Sequence, residues 1–194
     1  GRGVCWRSSL EMDPIYDRIN WAIHPSHKGC MRTKGTVGEA VFNVILIKPS
    51  HYDDDGYVIQ WIRSSIPSNT LATLYGLALD ADRRRVLGPE IELELHAYDE
   101  TNTHIQVKPL VRMIRSSSAG GMVALVGVQS NQYPRAMDLA RQLRPEGIQV
   151  CIGGFHVSGC LAMLPTTPPD LQEALDLGVS LFAGELEGRM DELL

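Results

Sequence analysis

Apolar runs that alternate with helical patterns dominate the chain from residue 42 onward. Phe42 to Ile47 and Met122 to Val128 are continuous apolar runs, which is typical of strands covered on both faces. Ile148 to Gly153 and Val179 to Ala183 are shorter runs of the same kind. Ile91 to Ala97 alternates apolar with polar residues, which indicates a strand nearer the edge of the sheet. The pattern therefore predicts five strands.

Between these runs, apolar residues recur at helical spacing. The first such pattern begins at Ser68 or Asn69, either of which can cap a helix, and Pro134 suits the first turn of a later helix. Gly147 and Gly178 follow the ends of two helical patterns. Strands that alternate with helices predict right-handed crossovers and a parallel sheet. We predict an α/β, flavodoxin-like (Rossmann-like) fold: a five-stranded parallel sheet of order 2-1-3-4-5 with helices on both faces.

Composition divides the 194 residues near position 42. Basic residues outnumber acidic ones in residues 1–42, which contain few apolar runs, whereas acidic residues prevail in the remainder. We interpret residues 1–42 as a poorly ordered N-terminal extension and residues 43–194 as one α/β domain.

Charge and cysteine usage exclude several functions. The net charge is −5 and no block of Lys and Arg is interleaved with aromatic residues, so nucleic acid is not an expected partner. No apolar run reaches the roughly 18 residues of a membrane span, and no signal peptide is evident. The four cysteines lack Cys-x-x-Cys spacing, which favours free thiols in a reducing compartment. We expect a cytoplasmic protein without a membrane partner.

The fourth predicted strand runs directly into Gly153-Gly154-Phe155-His156. A glycine pair at the carboxyl end of a strand either lets a broad flat ligand approach the backbone or allows a tight turn into a helix with no ligand. In the order 2-1-3-4-5, the loops after strands one, three, four and five line one crevice. These loops span residues 50–68, 129–133, 153–159 and 184–188. The first is long enough to cover a large amphipathic ligand.

Three motifs occur in a characteristic order across roughly residues 42–188. The first strand ends in Ile47-Lys48-Pro49, the fourth in the Gly-Gly-x-His turn, and Leu-Asp-Leu-Gly-Val precedes Gly184-Glu185-Leu186-Glu187. Together they resemble the cobalamin-binding domain at the N-terminal end of many radical S-adenosylmethionine enzymes. Ser130 matches the serine that such domains place after the third strand. Leu186 departs from the family's Gly-Glu-Gly-Glu ending, and Asn131-Gln132 departs from its Ser-x-Leu pattern.

His51 falls close to another position of interest in cobalamin proteins. Cobalamin mutases and methionine synthase carry Asp-x-His-x-x-Gly after the first strand, and the His binds cobalt beneath the corrin. Here Pro49 stands at the Asp position and Asp54 at the Gly position. His51 is therefore either a cobalt ligand or a solvent-facing or hydrogen-bonding residue. The radical enzymes commonly bind cobalamin without a protein His beneath the cobalt.

The resemblance implies a module that holds cobalamin and is not catalytic alone. The chain has no Cys-x3-Cys-x2-Cys motif and no nucleophile–base pair at motif spacing. S-adenosylmethionine and a [4Fe-4S] cluster would belong to a downstream radical barrel of the same parent chain, which could be a methyltransferase. The predicted cofactor-binding residues are Ser50, His51, Ser130, Asn131, Gly153, Gly154, Phe155, His156, Gly184 and Glu185.

Residue chemistry leaves three functions open. Cobalamin needs an edge for its corrin and a slot of small residues for its nucleotide tail, for which Gly127, Ser130, Gly153, Gly154 and Gly184 are candidates. An FMN-binding flavodoxin-like module is the alternative, because Ser64-Ser65 and Ser68-Asn69-Thr70 offer groups that bind phosphate. A ligand-free docking domain is the third. For cobalamin, we expect Gly154→Val to abolish binding and to leave the fold largely intact.

Overall fold

The computed structural model describes residues 40–61 and 68–194 in full. Of the residues before Ala40, it describes only the backbone of two short strands, β1 (Cys5–Trp6) and β2 (Ala22–Ile23). Most of the predicted N-terminal extension therefore lies outside the described residues.

Five parallel strands form the centre of one sheet. They are β3 (Ala40–Lys48), β4 (Ile91–Asp99), β5 (Gly121–Leu125), β6 (Gln149–Gly153) and β7 (Ser180–Phe182). Their order across the sheet is β4-β3-β5-β6-β7, which confirms the predicted order 2-1-3-4-5 and the flavodoxin-like class. The prediction lacked two edge additions: β1 pairs antiparallel with β7, and β2 pairs parallel with β4.

The described residues contain six α-helices. They are α1 (Asn69–Arg83), α2 (Val107–Ser116), α3 (Tyr133–Leu143), α4 (Phe155–Met163), α5 (Pro169–Asp176) and α6 (Met190–Leu193). Ser68 caps α1, since its hydroxyl accepts a hydrogen bond from the backbone N–H of Leu71 at 3.4 Å. The prediction of a loop over residues 153–159 was wrong, because α4 already begins at Phe155. Only Val157 of this largely apolar helix is buried, so the segment has no helical periodicity to detect.

Hydrophobic cores cover both faces of the sheet. Successive residues of a strand point to opposite faces. Val44 and Leu46 of β3 therefore pack in the core that contains α1 and α6, while Ile45 and Ile47 pack in the core that contains α2, α3 and α5. All four side chains are fully buried, which explains why the apolar run of β3 is uninterrupted.

An ion pair joins the end of α1 to α6. The guanidinium of Arg84 contacts both carboxylate oxygens of Asp191, at 2.8 and 2.6 Å, and these hydrogen bonds lower the pKa of Asp191 below its ordinary value of 3.8. A carboxylate whose pKa is lower in the folded than in the unfolded protein stabilises the fold above its unfolded pKa. That contribution is lost as the pH falls through the folded pKa.

We therefore expect Asp191→Asn to lower the urea midpoint near neutral pH, and the difference from wild type to disappear in strong acid. Unfolding curves over a series of pH values measure this. Asp54→Asn, which removes an exposed acid outside the pair, should show no such trend. A difference between Asp191→Asn and wild type that stays constant at every pH would contradict the assignment.

Candidate functional site

A groove of about 480 Å³ lies at the carboxyl edge of the sheet, on the face covered by α1 and α6. The first turns of α1 supply Thr70 and Thr73, and the ends of β5 and β6 supply backbone and small side chains. The loop after β7, residues 184–187, closes the far side. The crevice predicted from the strand order is therefore present, and the loops after β5, β6 and β7 contribute to it.

The groove combines an apolar base with polar groups. Leu74, Cys151 and Phe182 form part of the base, and each is at most 9% exposed. The hydroxyl of Ser158 accepts a hydrogen bond from the backbone N–H of Gly184 at 3.0 Å, which joins α4 to the loop after β7. Such a lining suits a ligand with an apolar body and polar edges.

Small residues border the groove at the ends of three strands. Of the five candidates for the nucleotide slot, four line it: Gly127, Gly153, Gly154 and Gly184. At Gly153 an added Cβ would meet Phe182 only at 3.4 Å, so a side chain is sterically possible there. The small residues thus leave open space on the same face of the sheet as the Phe182 ring.

The backbone conformation at position 154 requires a glycine. Its φ of 141° and ψ of −167° lie in a region that essentially only glycine adopts. An added Cβ would lie 2.2 Å from the backbone nitrogen of Val128. The tight turn from β6 into α4 therefore needs this glycine, whatever ligand binds. The expectation that Gly154→Val leaves the fold intact was wrong, because the new side chain would collide with the neighbouring main chain.

Half of the predicted cofactor-binding residues line the groove. These are Gly153, Gly154, Phe155, Gly184 and Glu185. The others lie outside its lining: Ser50, His51, Ser130, Asn131 and His156. The ring of Phe155 is 75% exposed at the start of α4, so it is accessible to a ligand that projects from the groove.

Residues 50–61, the described part of the long first loop, do not line the groove. Ser50 is fully buried and donates its hydroxyl to the carbonyl oxygen of Ile59 at 2.5 Å. His51 is half-buried beside Tyr52, whose hydroxyl donates to Asp138 of α3 at 2.6 Å. Burial, together with this hydrogen bond, raises the pKa of Tyr52. This part of the loop is held against α3 and does not line the groove, and its role as a cover for the ligand stays a prediction.

His156 connects three segments beside the groove. Its Nδ1 lies 3.1 Å from the hydroxyl oxygen of Ser130, and its Nε2 lies 2.9 Å from a carboxylate oxygen of Asp170. The imidazole packs against the ring of Tyr133, with 4.3 Å between centroids. Burial and the nearby charge of Asp170 raise the pKa of Tyr133. The cluster unites two residues that the sequence singled out, Ser130 and His156, with one that it did not, Asp170.

The sequence does not predict two residues of this region, Asp170 and Thr73. Asp170 follows Pro168-Pro169 at the start of a helix, where an acidic residue is explained by the helix dipole alone. Thr73 is the second, since Thr70 and Thr73 are three residues apart and therefore share one face of α1. The spacing of these two threonines in the first turns of the helix after the first strand is the sequence signal that indicates residues of the groove.

The groove is acidic. Glu185 and Glu187 line it, whereas no Lys, Arg or His does so among the described residues. The guanidinium of Arg189 lies 4.8 Å from the centre of the Phe182 ring and contacts Glu192 at 2.6 Å. The groove therefore favours a neutral or cationic ligand over a multiply charged anion.

In the part of the chain that the structure describes, no group of three or more His, Cys, Asp and Glu side chains is arranged to hold a metal ion. His51 as a ligand of cobalt stays a prediction. No helix among residues 40–61 and 68–194 is long and apolar enough to cross a membrane. Comparisons with protein-family models, curated proteins and solved structures found no match to this chain. Its function is therefore inferred from its residues and their geometry.

Proposed function

We propose that this chain is a cobalamin-binding module that holds the nucleotide tail in the groove and the corrin across the carboxyl edge of the sheet. The observation that carries the proposal is the groove itself, which lies between α1 and the sheet, where four glycines leave space. Three of them, Gly153, Gly154 and Gly184, belong to the motifs on which the resemblance to cobalamin domains rests.

The size of the groove suits part of cobalamin. Drug-sized ligands occupy pockets of about 300–1,000 Å³. A volume of about 480 Å³ accommodates a base, a ribose and a phosphate, but not the corrin as well. The corrin, which is broad and apolar with amide groups at its rim, would extend over the exposed ring of Phe155. Glu185 would accept hydrogen bonds from amide N–H groups.

Charge favours cobalamin over FMN. The phosphate of FMN is a monoester with a charge near −2 at neutral pH, as in a phosphorylated side chain, whereas the phosphate of the cobalamin tail is a diester with a single negative charge. Glu185 and Glu187 repel such a group, and no cationic side chain of the described residues lines the groove to compensate. The first turn of α1 offers backbone N–H groups that bind phosphate, so FMN is the second candidate.

The parent protein in this proposal is a radical S-adenosylmethionine enzyme. Cobalamin supplies methyl transfer or related cobalt chemistry, while the residues of this chain hold and orient it. The carboxyl edge would face a radical barrel elsewhere in a longer chain, where S-adenosylmethionine and a [4Fe-4S] cluster bind. The support for this parentage is the resemblance carried by the Gly-Gly-x-His and Gly-Glu-Leu-Glu motifs.

A retention experiment tests the proposal. The purified chain is mixed with hydroxocobalamin or, in a parallel sample, with FMN, and free ligand is removed by gel filtration. We expect the visible absorbance of the corrin to elute with the protein and the flavin absorbance to be lost. Band positions of the bound corrin then report whether His51 or another nitrogen ligand binds the cobalt.

Retention of FMN alone would replace cobalamin with the flavin function. Retention of neither would contradict cofactor binding by this chain and favour a docking domain. Bovine serum albumin passed through the same column with each ligand controls for non-specific carry-over.

A further inference from the structure

Asp170, His156 and Ser130 form a hydrogen-bonded chain beside the groove. One oxygen of Asp170 accepts from the His156 ring at 2.9 Å, and the other accepts from the backbone N–H of Leu171 at 2.9 Å. The His156 side chain is 13% exposed, while Ser130, at the end of this series of hydrogen bonds, is exposed to solvent. Burial of the imidazole between Tyr133 and its partners restricts its orientation.

The direction of these hydrogen bonds follows from the carboxylate. An ionised carboxylate only accepts, so the Nε2 of His156 must carry the proton that it donates to Asp170. In the neutral imidazole the Nδ1 is then an acceptor, and the hydroxyl of Ser130 donates its proton to it. The side chain of Ser130 makes no other hydrogen bond with the described residues. Its oxygen lone pairs are therefore directed to solvent or to a ligand.

Ser130 lies exposed in the loop after β5, at the carboxyl edge of the sheet across which the corrin is proposed to lie. Gln129 precedes Ser130, Phe155 precedes His156, and both of these neighbours line the groove. The carboxylates of Glu185 and Glu187, which line the groove, are further acceptors at this edge. The rim thus carries several acceptors and suits a ligand whose periphery presents N–H groups.

We infer that Asp170 is a positioning residue that, through His156, presents Ser130 as a hydrogen-bond acceptor to an N–H donor of the bound ligand. Carboxamides are the class of donor that a corrin carries, so the inference rests on the proposed function. Asp170 contacts no ligand in this role. It sets the tautomer of His156 and thereby the direction of the Ser130 hydroxyl.

Two measurements test the inference. Titration of the visible spectrum gives the Kd for hydroxocobalamin of wild type, Ser130→Ala, Asp170→Ala and Asp170→Asn. We expect Ser130→Ala and Asp170→Ala to bind hydroxocobalamin about five- to tenfold more weakly than wild type, as for one lost hydrogen bond. Asp170→Asn should retain most of the affinity, because its amide oxygen still accepts from Nε2. Asp176→Asn removes an exposed acid from the C-terminal end of α5 and should match wild type.

Nitrogen-15 NMR of the free protein gives the tautomer of His156, which a merely structural role of Asp170 would not determine. We expect the Nε2–H form in wild type and Asp170→Asn, and a mixture in Asp170→Ala. Unchanged affinity in Ser130→Ala and Asp170→Ala, or an Nδ1–H form in wild type, would overturn this inference but leave the proposed function standing. Failure of the wild type to bind hydroxocobalamin would overturn the proposed function and the inference together.

Discussion

Filling the groove should abolish retention of cobalamin without unfolding the protein. Gly153→Val adds a side chain at the end of β6 on the face that bears Phe182, and its Cβ fits at 3.4 Å from its nearest neighbours. Thr73→Trp fills the same space from α1, where the Thr73 side chain is exposed. We expect each variant to raise the Kd for hydroxocobalamin at least about 100-fold, a loss of ~2.7 kcal/mol.

The control for this prediction comes from the neighbouring residue of α1. Ala72 is also exposed but does not line the groove, so Ala72→Trp should bind like wild type. Circular dichroism and the urea midpoint check that each variant is folded. Wild-type affinity in a folded Thr73→Trp variant would show that the ligand binds elsewhere. Gly154→Val is unsuitable for this test, since its effect on binding cannot be separated from damage to the turn.

Removal of the Glu100 carboxylate should strongly lower the stability of the fold. Glu100 follows β4, is fully buried, and contacts Arg135 of α3 through Nη2 at 2.6 Å and Nε at 3.1 Å. It also accepts the backbone N–H of Ser50 at 3.0 Å. Glu100→Ala leaves the guanidinium of Arg135 in a largely buried position without a carboxylate partner. We expect the free energy of unfolding to fall by about 3–5 kcal/mol, a large share of the ~5–15 kcal/mol of a typical domain.

Urea unfolding of matched variants measures this effect. Glu92→Ala removes an exposed acid from β4, the strand that Glu100 follows, and should change stability little. The double variant Glu100→Leu with Arg135→Met removes both charges and should recover much of the loss, because apolar replacements of a buried ion pair are often tolerated. A loss below about 1 kcal/mol in Glu100→Ala would mean that water reaches Arg135 and screens its charge.

The candidate site was only partly predictable from the sequence. Gly153, Gly154, Phe155, Gly184 and Glu185 were identified because they follow buried strands, whose carboxyl ends meet at one edge of a parallel sheet. The side on which each residue faces was not predictable. Successive residues point to opposite faces of a strand and are rotated by about 100° around a helix, so a small change in where α4 begins decides which face each residue joins. Phe155 therefore lies at the groove, whereas its neighbour His156 contacts Ser130 and Asp170.

By itself, the sequence determined five parallel strands, because uninterrupted apolar runs such as Phe42 to Ile47 must be covered on both faces and helical crossovers between strands have one hand. Their order was predicted by analogy with the flavodoxin-like arrangement, and the structure confirms it. Only the tertiary structure decided which polar groups meet. Contacts such as Glu100 with Arg135, or Asp170 with His156, join residues from separate elements whose spacing along the chain carries no periodic signal. Local patterns report burial, whereas the direction of a polar side chain depends on partners that folding brings together.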